Sequence, residues 1–523
     1  MFILVTALLL FVMALVLVAL RFLRPDFRFA WLVAAGGAFL AWLSVILWQI
    51  FMPISLSLPA WQPAYLFKDS PLFFADRLSW PYALSLASLV LGVILTAVVR
   101  DDFPDPLGWA GVSALGGLGM LAVLANNPLT LALVWSALDL MELVSHIRSA
   151  EGERPNERVV AGFSARLLGT GLLLWAGLTS LSQGTLLDFH STRPEAGMLL
   201  ILASGLRLGV IPLHLGYASE TSLRRGYGTA LRLVPATSSL IILARIPVES
   251  AQSQFAPFLL IVVAVAAAYG GFQWVRASDD LAGRPYWVIG VSSLALASSL
   301  RGNPVGSVAW GVGLLLAGGA LFLASSQNRI LNRALLVAGA WGISALPFSP
   351  SASGWQGADV TSWALWGAWP ILVLAQALLA AGFIRHALRP AVSAPLEAQP
   401  IWSRNVYPIG IGVLLFTLIG LGLYGWDGAL TLGAYIPALV ALALTALVAW
   451  LTPRLPWLNP VSLGAKGEGV TALDSFYGVL WNLYRQIGRL IEAFLAALEG
   501  DGGILWALLF LVLFISILAP RLP

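Results

Sequence analysis

LTLALVWSALDLMELVSHIR, residues 129–148, decides how the chain is read. The stretch is long enough to cross about 30 Å of hydrocarbon as a helix, yet it carries Asp139, Glu142 and His146. Their spacing of i, i+3, i+7 sets all three on one stripe of that helix. A charge at mid-bilayer costs about 2.5–3.5 kcal/mol, so such residues need a partner or a task. Asp139 lies near the centre. Adjacent carboxylates repel, so at least one of the two is expected to hold a proton at neutral pH. That suits a proton-handling site.

Similar apolar runs recur on both sides of this stretch. About sixteen are expected, near 2–20, 29–51, 78–99, 107–125, 129–147, 159–181, 196–216, 228–246, 255–275, 284–300, 305–325, 333–348, 362–384, 406–425, 430–452 and 503–519. The composition agrees: the 523 residues are 59% hydrophobic and only 10% charged, against about 45–50% and about 25% in soluble domains. A chain so poor in charge has lipid as its main solvent, and its 22 Trp and 51 Gly fit membrane helices and their interfaces. Strands are not expected, because barrel strands alternate over about ten residues. The first run lacks a basic leader and a small-residue cleavage site, so it is read as a span and not a signal peptide. The absence of Cys excludes disulfides, iron–sulfur clusters and thiolate metal sites, and four His make a haem or zinc enzyme a poor fit. No cofactor is expected. A formal charge of +4 gives no reason to expect nucleic acid.

Arginine supplies nearly all the positive charge, since Lys occurs only at Lys68 and Lys466. Clusters such as Arg21/Arg24/Arg28, Arg148/Arg154/Arg158, Arg224/Arg225 and Arg385/Arg389 follow odd-numbered spans, while Lys68, Arg77, Arg193, Arg245 and Arg301 follow even-numbered ones. Basic loops stay in the cytoplasm, so both termini are expected outside it. Residues 472–498 place Phe476, Leu480, Leu483 and Ile487 on one helical face and Asn482, Arg485, Gln486 and Arg489 largely on the other. This pattern predicts an amphipathic helix at the cytoplasmic surface.

The seventh span carries Arg207 at mid-depth, then Pro212 and His214. Pro212 removes a backbone hydrogen bond and is expected to break the helix, a device that exposes backbone dipoles within the membrane. Arg166 in the sixth span and Arg232 in the eighth add buried cations. Arg207 opposite Asp139 or Glu142 fits a fixed structural ion pair as well as a working one, because arginine keeps its proton. His146 lies near a membrane face, where a surface position is the commoner role.

These residues, in this order, resemble the antiporter-like subunits of respiratory complex I and the related Mrp-type antiporters. LFFADRLSWPYALSL (72–86) is similar to the family's D-x-L-S start of the third span, and ANNPLTLALVWSALDLMELVSHI (125–147) to its N-x-L-T-L…F-W-E fifth span. GLRLGVIPLH (205–214) resembles G-K-x-A-x-x-P-L-H, SDDLAGRPYWVIGVSS (278–293) resembles D-x-K-R-x-L-A-Y-S-S, and ALPFSP (345–350) resembles G-L-P-P-F-x-G-F. Sixteen spans with an amphipathic helix before the last are similar to the largest of these subunits. The resemblance implies an all-α polytopic fold with two inverted five-helix repeats, each holding a broken helix and a half-channel. It divides the chain into N-terminal helices (1–106), a first repeat (107–250), a second repeat (251–390) and C-terminal helices (391–523). It also implies a Glu–Lys pair on spans 5 and 7 that passes electrostatic change to further lysines.

The departures bear on that mechanism. The family's span 5 glutamate matches Ser136, with Asp139 a turn later, and its lysine matches Arg207. The polar position of span 8 matches Leu231, and the lysines of spans 11 and 12 fall near Gly319 and Ser353–Gln356. The first repeat keeps charged residues, whereas the other repeat is expected to be electrically silent. The resemblance implies a membrane subunit, in a prokaryotic cytoplasmic membrane, of a proton- or ion-translocating complex with other membrane subunits as partners. Its ion path would use Asp139, Glu142, Arg207 and His214, with Arg232 and His146 beside them. The alternatives are a docking subunit that has lost the lysine relay, or an unrelated lipid-linked enzyme, for which loop 52–77 offers only Asp69 and Asp76. No redox chemistry is expected in this chain.

Overall fold

The structure is a computed structural model that describes residues 2–25, 27–58, 70–100, 105–149, 153–182, 188–189, 192–214, 225–326, 328–357, 363–389, 395–426, 428–430, 434–452 and 454, with isolated positions between 478 and 489. The expected span 503–519, Lys68 and Lys466 lie outside the described residues. So does most of the expected amphipathic helix, although Asn482, Arg485, Gln486 and Arg489 are described as helical and exposed.

The other expected spans all fall on helices. The N-terminal set comprises α1 (Phe2–Leu23), α2 (Ala30–Phe51) and α3 (Ser79–Thr96). Then follow α4 (Pro106–Leu124), α5 (Pro128–Ser149), α6 (Glu153–Ser182), α7 (Pro194–Arg207) and α8 (Arg225–Leu243). The next group is α9 (Ala256–Arg276), α10 (Asp280–Leu300), α11 (Pro304–Leu323), α12 (Arg329–Gly342) and α13 (Trp363–Ala387). The last described are α14 (Ile401–Gly420), extended by one π turn, and α15 (Tyr435–Leu451). Nine helices among the described residues are long and apolar enough to cross a membrane. The chain is an integral membrane protein.

Several helices start on the same local device, an acceptor side chain followed by proline. Asp105 caps α4 by accepting from the Leu107 N–H (2.8 Å), and Asn303 caps α11 by accepting from the Gly306 N–H (2.8 Å). Asn127 accepts from the Thr130 N–H (2.7 Å) at the start of α5. Each cap satisfies a donor that has no partner within the helix, and proline at the first position loses nothing because its missing N–H would be idle there.

Burial orders the helices. In α3 and α11, 94% of the apolar window is buried, against 39% in α1 and 28% in α2. Thus α3 and α11 are the axis of the bundle, and α1 and α2 present Leu8, Leu15, Leu32 and Phe39 outward, where lipid is the matching solvent. Small residues let the helices close in, as expected where packing rather than water drives association. At the crossing of α9 and α10, a Cβ on Gly270 would stand 2.7 Å from the Gly290 nitrogen.

One element departs from the all-helical expectation. In the loop 52–77, β1 (Ile54–Ser57) pairs antiparallel with β2 (Leu72–Ala75), Ile54 opposite Ala75. Strands this short give no period in the sequence. They form because neighbours pin them: Thr130 accepts from the Leu72 N–H (3.0 Å), and the Asn126 N–H donates to the Leu72 carbonyl (2.9 Å). The hairpin is thus stapled to the start of α5.

Candidate functional site

The expected stripe on α5 is real. Asp139 and Glu142 are fully buried and His146 is nearly so, at 6% exposure. The expectation of a surface His146 is corrected here. Both α6 and α8 pack on α5, and His146 lies in the field of Arg232, Arg166 and Arg284.

Arg207 holds Asp139 with two teeth, Nη1 to Oδ2 at 2.7 Å and Nη2 to Oδ1 at 2.7 Å. Its remaining hydrogen-bond partners come from two more helices, α6 and α8. Nη1 also donates to the Arg166 carbonyl (3.1 Å) and Thr170 Oγ1 (3.2 Å), and Nε donates to Ser239 Oγ (3.4 Å). Trp135 supports the guanidinium from one face, 3.9 Å from its ring centroid. Arg166 in turn holds Glu142 at 2.6 Å and reaches Asp139 at 3.5 Å. The two carboxylates therefore do not face each other alone: each is matched to its own guanidinium, which removes the repulsion the sequence suggested. Planar two-toothed pairs of this kind are the stronger form of charge-assisted hydrogen bond.

Local structure puts Arg207 there. It stands in the last turn of α7, where the helix dipole and open carbonyls favour a cation. The helix stops at Arg207, five residues before Pro212, because Gly209 turns the backbone with φ +74°. A side chain at 209 would meet the His214 carbonyl at 2.4 Å, so only glycine fits. The Val210 and Ile211 N–H groups fold back onto the Gly205 carbonyl (2.8 and 3.1 Å). Buried His214 serves this turn, its Nδ1 donating to the Pro212 carbonyl (2.8 Å). On α6, a Cβ on Gly169 would stand 2.6 Å from Arg207 Cγ; glycine there makes the channel in which the arginine lies.

Beside the break is a cavity of about 30 Å³, lined by Arg166, Arg207, Arg232 and the apolar Leu208, Ala236 and Val288. Arg232, an expected site residue, thus joins the cluster from α8. That helix is anchored at both ends by ion pairs. Arg225 pairs with Asp280 at its start, and just beyond its end Arg245 pairs with Asp76 at 2.5 and 3.1 Å. Burial alone would raise the Asp76 pKa, but the Arg245 charge and the hydrogen bonds from Arg245 and Ser79 outweigh it and hold it below the usual carboxylate range.

The second group of helices is not electrically silent, which corrects the expectation. It buries Arg284 and Arg301, although no carboxylate is buried among its described residues. Here too a helix stops short, α12 at Gly342. Its open carbonyls are met by an amide: Gln376 donates to Ile343 (3.1 Å) and Ser344 (2.9 Å) and accepts from Trp355 Nε1 (2.8 Å). Arg301 donates to the Gly354 and Trp355 carbonyls (2.8 and 3.2 Å), and Asn303 donates to that of Ser353 (2.8 Å).

Sequence reading missed Trp135, Thr170, Ser239 and Gln376. Only Trp135 left a signal, one turn before Asp139 on the same face.

No protein-family model and no curated protein sequence matches the chain. Solved structures do. A chain of the Mrp complex from Dietzia sp. DQ12-45-1b aligns over 100% of this chain at TM-score 0.69 and 14% identity, and this chain spans 63% of that longer one. A chain of the membrane-bound sulfane sulfur reductase, an archaeal respiratory membrane complex, aligns at TM-score 0.62 and 13% identity, covering 97% of this chain and 99% of the other. Respiratory complex I from Thermus thermophilus gives TM-score 0.60 and 18% identity, covering 85% of this chain and 99% of its own. At these identities the likeness lies in the backbone. The fold is shared with chains of the Mrp complex, the sulfane sulfur reductase and complex I.

Proposed function

We propose that the chain is a membrane subunit of a multi-subunit, ion-translocating complex, and that its core holds a charge-locked anchor in place of a lysine relay. The observation that carries this reading is the two-toothed Asp139–Arg207 pair, fully buried on both sides. Arginine does not release its proton under physiological conditions. A guanidinium seated on a carboxylate, two hydroxyls, a carbonyl and an indole can set the local field without handing a proton on. The three fold neighbours named above come from multi-subunit membrane complexes, which supports membrane subunits as partners. Arginine-rich loops after odd-numbered helices support termini outside a prokaryotic cytoplasmic membrane. The equal lengths of α7 and α12, 14 residues each, support two repeats at 107–250 and 251–390.

A second reading has its own support. A proton path through Asp139, Glu142, His146 and Arg232, past Arg207 and His214, would use the cavity beside the three arginines, which has room for about one or two waters.

Purification from native membranes tests the first claim: stoichiometric membrane subunits are expected to accompany the chain, and a chain that isolates alone contradicts it. Proton flux in vesicles carrying Glu142→Gln separates the two readings. Unchanged flux fits the anchor; lost flux in a correctly assembled variant fits the path.

A further inference from the structure

We propose that the outer seam between α9 and α13 is a lipid site, and that its occupant is an anionic phospholipid whose phosphodiester is held by Arg276 and Arg385. The two helices pack along each other and end together. His386 Nε2 bonds the Trp274 carbonyl (3.0 Å), and Arg389 donates to the Ala277 and Ser278 carbonyls. Below this end the seam carries apolar stripes. On α9, Phe258, Val265 and Phe272 recur every seven residues and share a face, and Arg276 stands one turn beyond Phe272. On α13, Leu374 and Leu378 share a face, with Arg385 two turns beyond Leu378. Phe272 and Val448 of α15 pack against Val275 and Leu378, so both arginines crown the same seam. Phe258, Val265 and Leu374 are exposed.

The protein gives these two guanidiniums no acceptors. Arg276 Nε and Arg385 Nη1 are buried without a hydrogen-bond partner, and neither side chain has a carboxylate partner among the described residues. Arg276 rests on the Phe272 ring, 5.2 Å from its centroid. The nearby acids are spent: Asp279 caps α10 by accepting from the Ala282 N–H (2.8 Å), and Asp280 pairs with Arg225. Donors without acceptors are costly, and a phosphodiester answers both guanidiniums with charged oxygens. Both side chains are half-buried, so an incoming phosphate can reach them. Charge and shape together select the ligand. An acidic protein segment has no use for the stripes, and a partner's apolar helix leaves the arginines unmatched. A zwitterionic headgroup returns a cation to a corner whose acids are already taken. From Phe258 to Phe272 the α9 stripe rises about 21 Å, enough for an acyl chain in one leaflet of about 15 Å. The site shares no residue with the α7 cluster and is independent of the anchor reading.

The test is native mass spectrometry of the full chain, stripped of lipid in detergent and given phosphatidylglycerol or phosphatidylcholine with the same acyl chains. Phosphatidylglycerol should be retained saturably, in preference to phosphatidylcholine. Arg276→Gln with Arg385→Gln should weaken that retention about tenfold or more. Arg329→Gln, at an exposed arginine opening α12, should leave it unchanged. A benzophenone crosslinker at position 374 should capture lipid in native membranes. Equal retention of the two lipids by the wild type, a result that needs no variant to fold, overturns the proposal. So does undiminished binding in the double variant, an equal loss in Arg329→Gln, or capture of a protein segment in place of lipid.

Discussion

The α7 and α12 regions each stop a helix short within the bundle, and they satisfy the open backbone with different chemistry. At α7 the break is built around full charges, with Arg207 and Arg166 matched to Asp139 and Glu142. At α12 it is built around a neutral amide, Gln376, with Arg301 and Asn303 on the carbonyls of the following segment. Backbone groups inside a bilayer have no water to fall back on, so either solution serves the fold. The amide suffices for closure. The charges at α7 are therefore more than closure requires, which fits the charge-locked anchor proposed for that half.

The largest expected effect follows from removing one of those charges. Arg207→Ala takes the two-toothed partner from buried Asp139 and leaves it only the longer 3.5 Å contact to Arg166, at a cost of about 3–5 kcal/mol; loss of folded protein from membranes, read by yield and melting, checks it. Gln376→Leu gives up three hydrogen bonds in the other half and should cost about 1–3 kcal/mol. If the two variants melt alike, the contrast between the breaks fails. Gly169→Ala sharpens it without altering charge: the new methyl presses on Arg207 Cγ, and overpacking of about 1–3 kcal/mol is expected. Smallest is the pair outside the bilayer. The Asp76 carboxyl is held below its ordinary range, so its contribution is complete above that range and fades as pH falls through the lowered value. Melting temperature should therefore drop below about pH 4, and Asp76→Asn should flatten that acid limb.

Much of this was legible in the sequence. Apolar runs of span length have one meaning in a chain so poor in charge, which is why the described helices fall where they are expected. The α5 stripe was legible because helical spacing is rigid, and Asp139, Glu142 and His146 could only share a face. Partner choice was less so. Arg207 was expected opposite Asp139 or Glu142, and depth decides for Asp139, while Arg166 takes Glu142. The exact break was hidden because proline is the stronger helix-breaking signal, although Gly209 and not Pro212 makes the turn. The hairpin and the Asp76–Arg245 pair join residues far apart in the chain, and no local period reports such contacts. Arg284 carries no local sign of burial and Arg301 reads in the sequence as a loop cation, yet both are buried. One sits in the first turns of α10 and the other at its C-cap, where the sequence alone suggests a surface.

The anchor reading rests on the Asp139–Arg207 pair being structural, and double neutralisation tests it most directly. Replacing both partners of a buried pair by apolar residues of similar size is often harmless, whereas a proton route does not survive losing its carboxylate. The full complex carrying Asp139→Leu with Arg207→Met, assayed for proton movement in membrane vesicles, should assemble and keep wild-type flux. Assembly at normal levels with flux abolished would contradict the account.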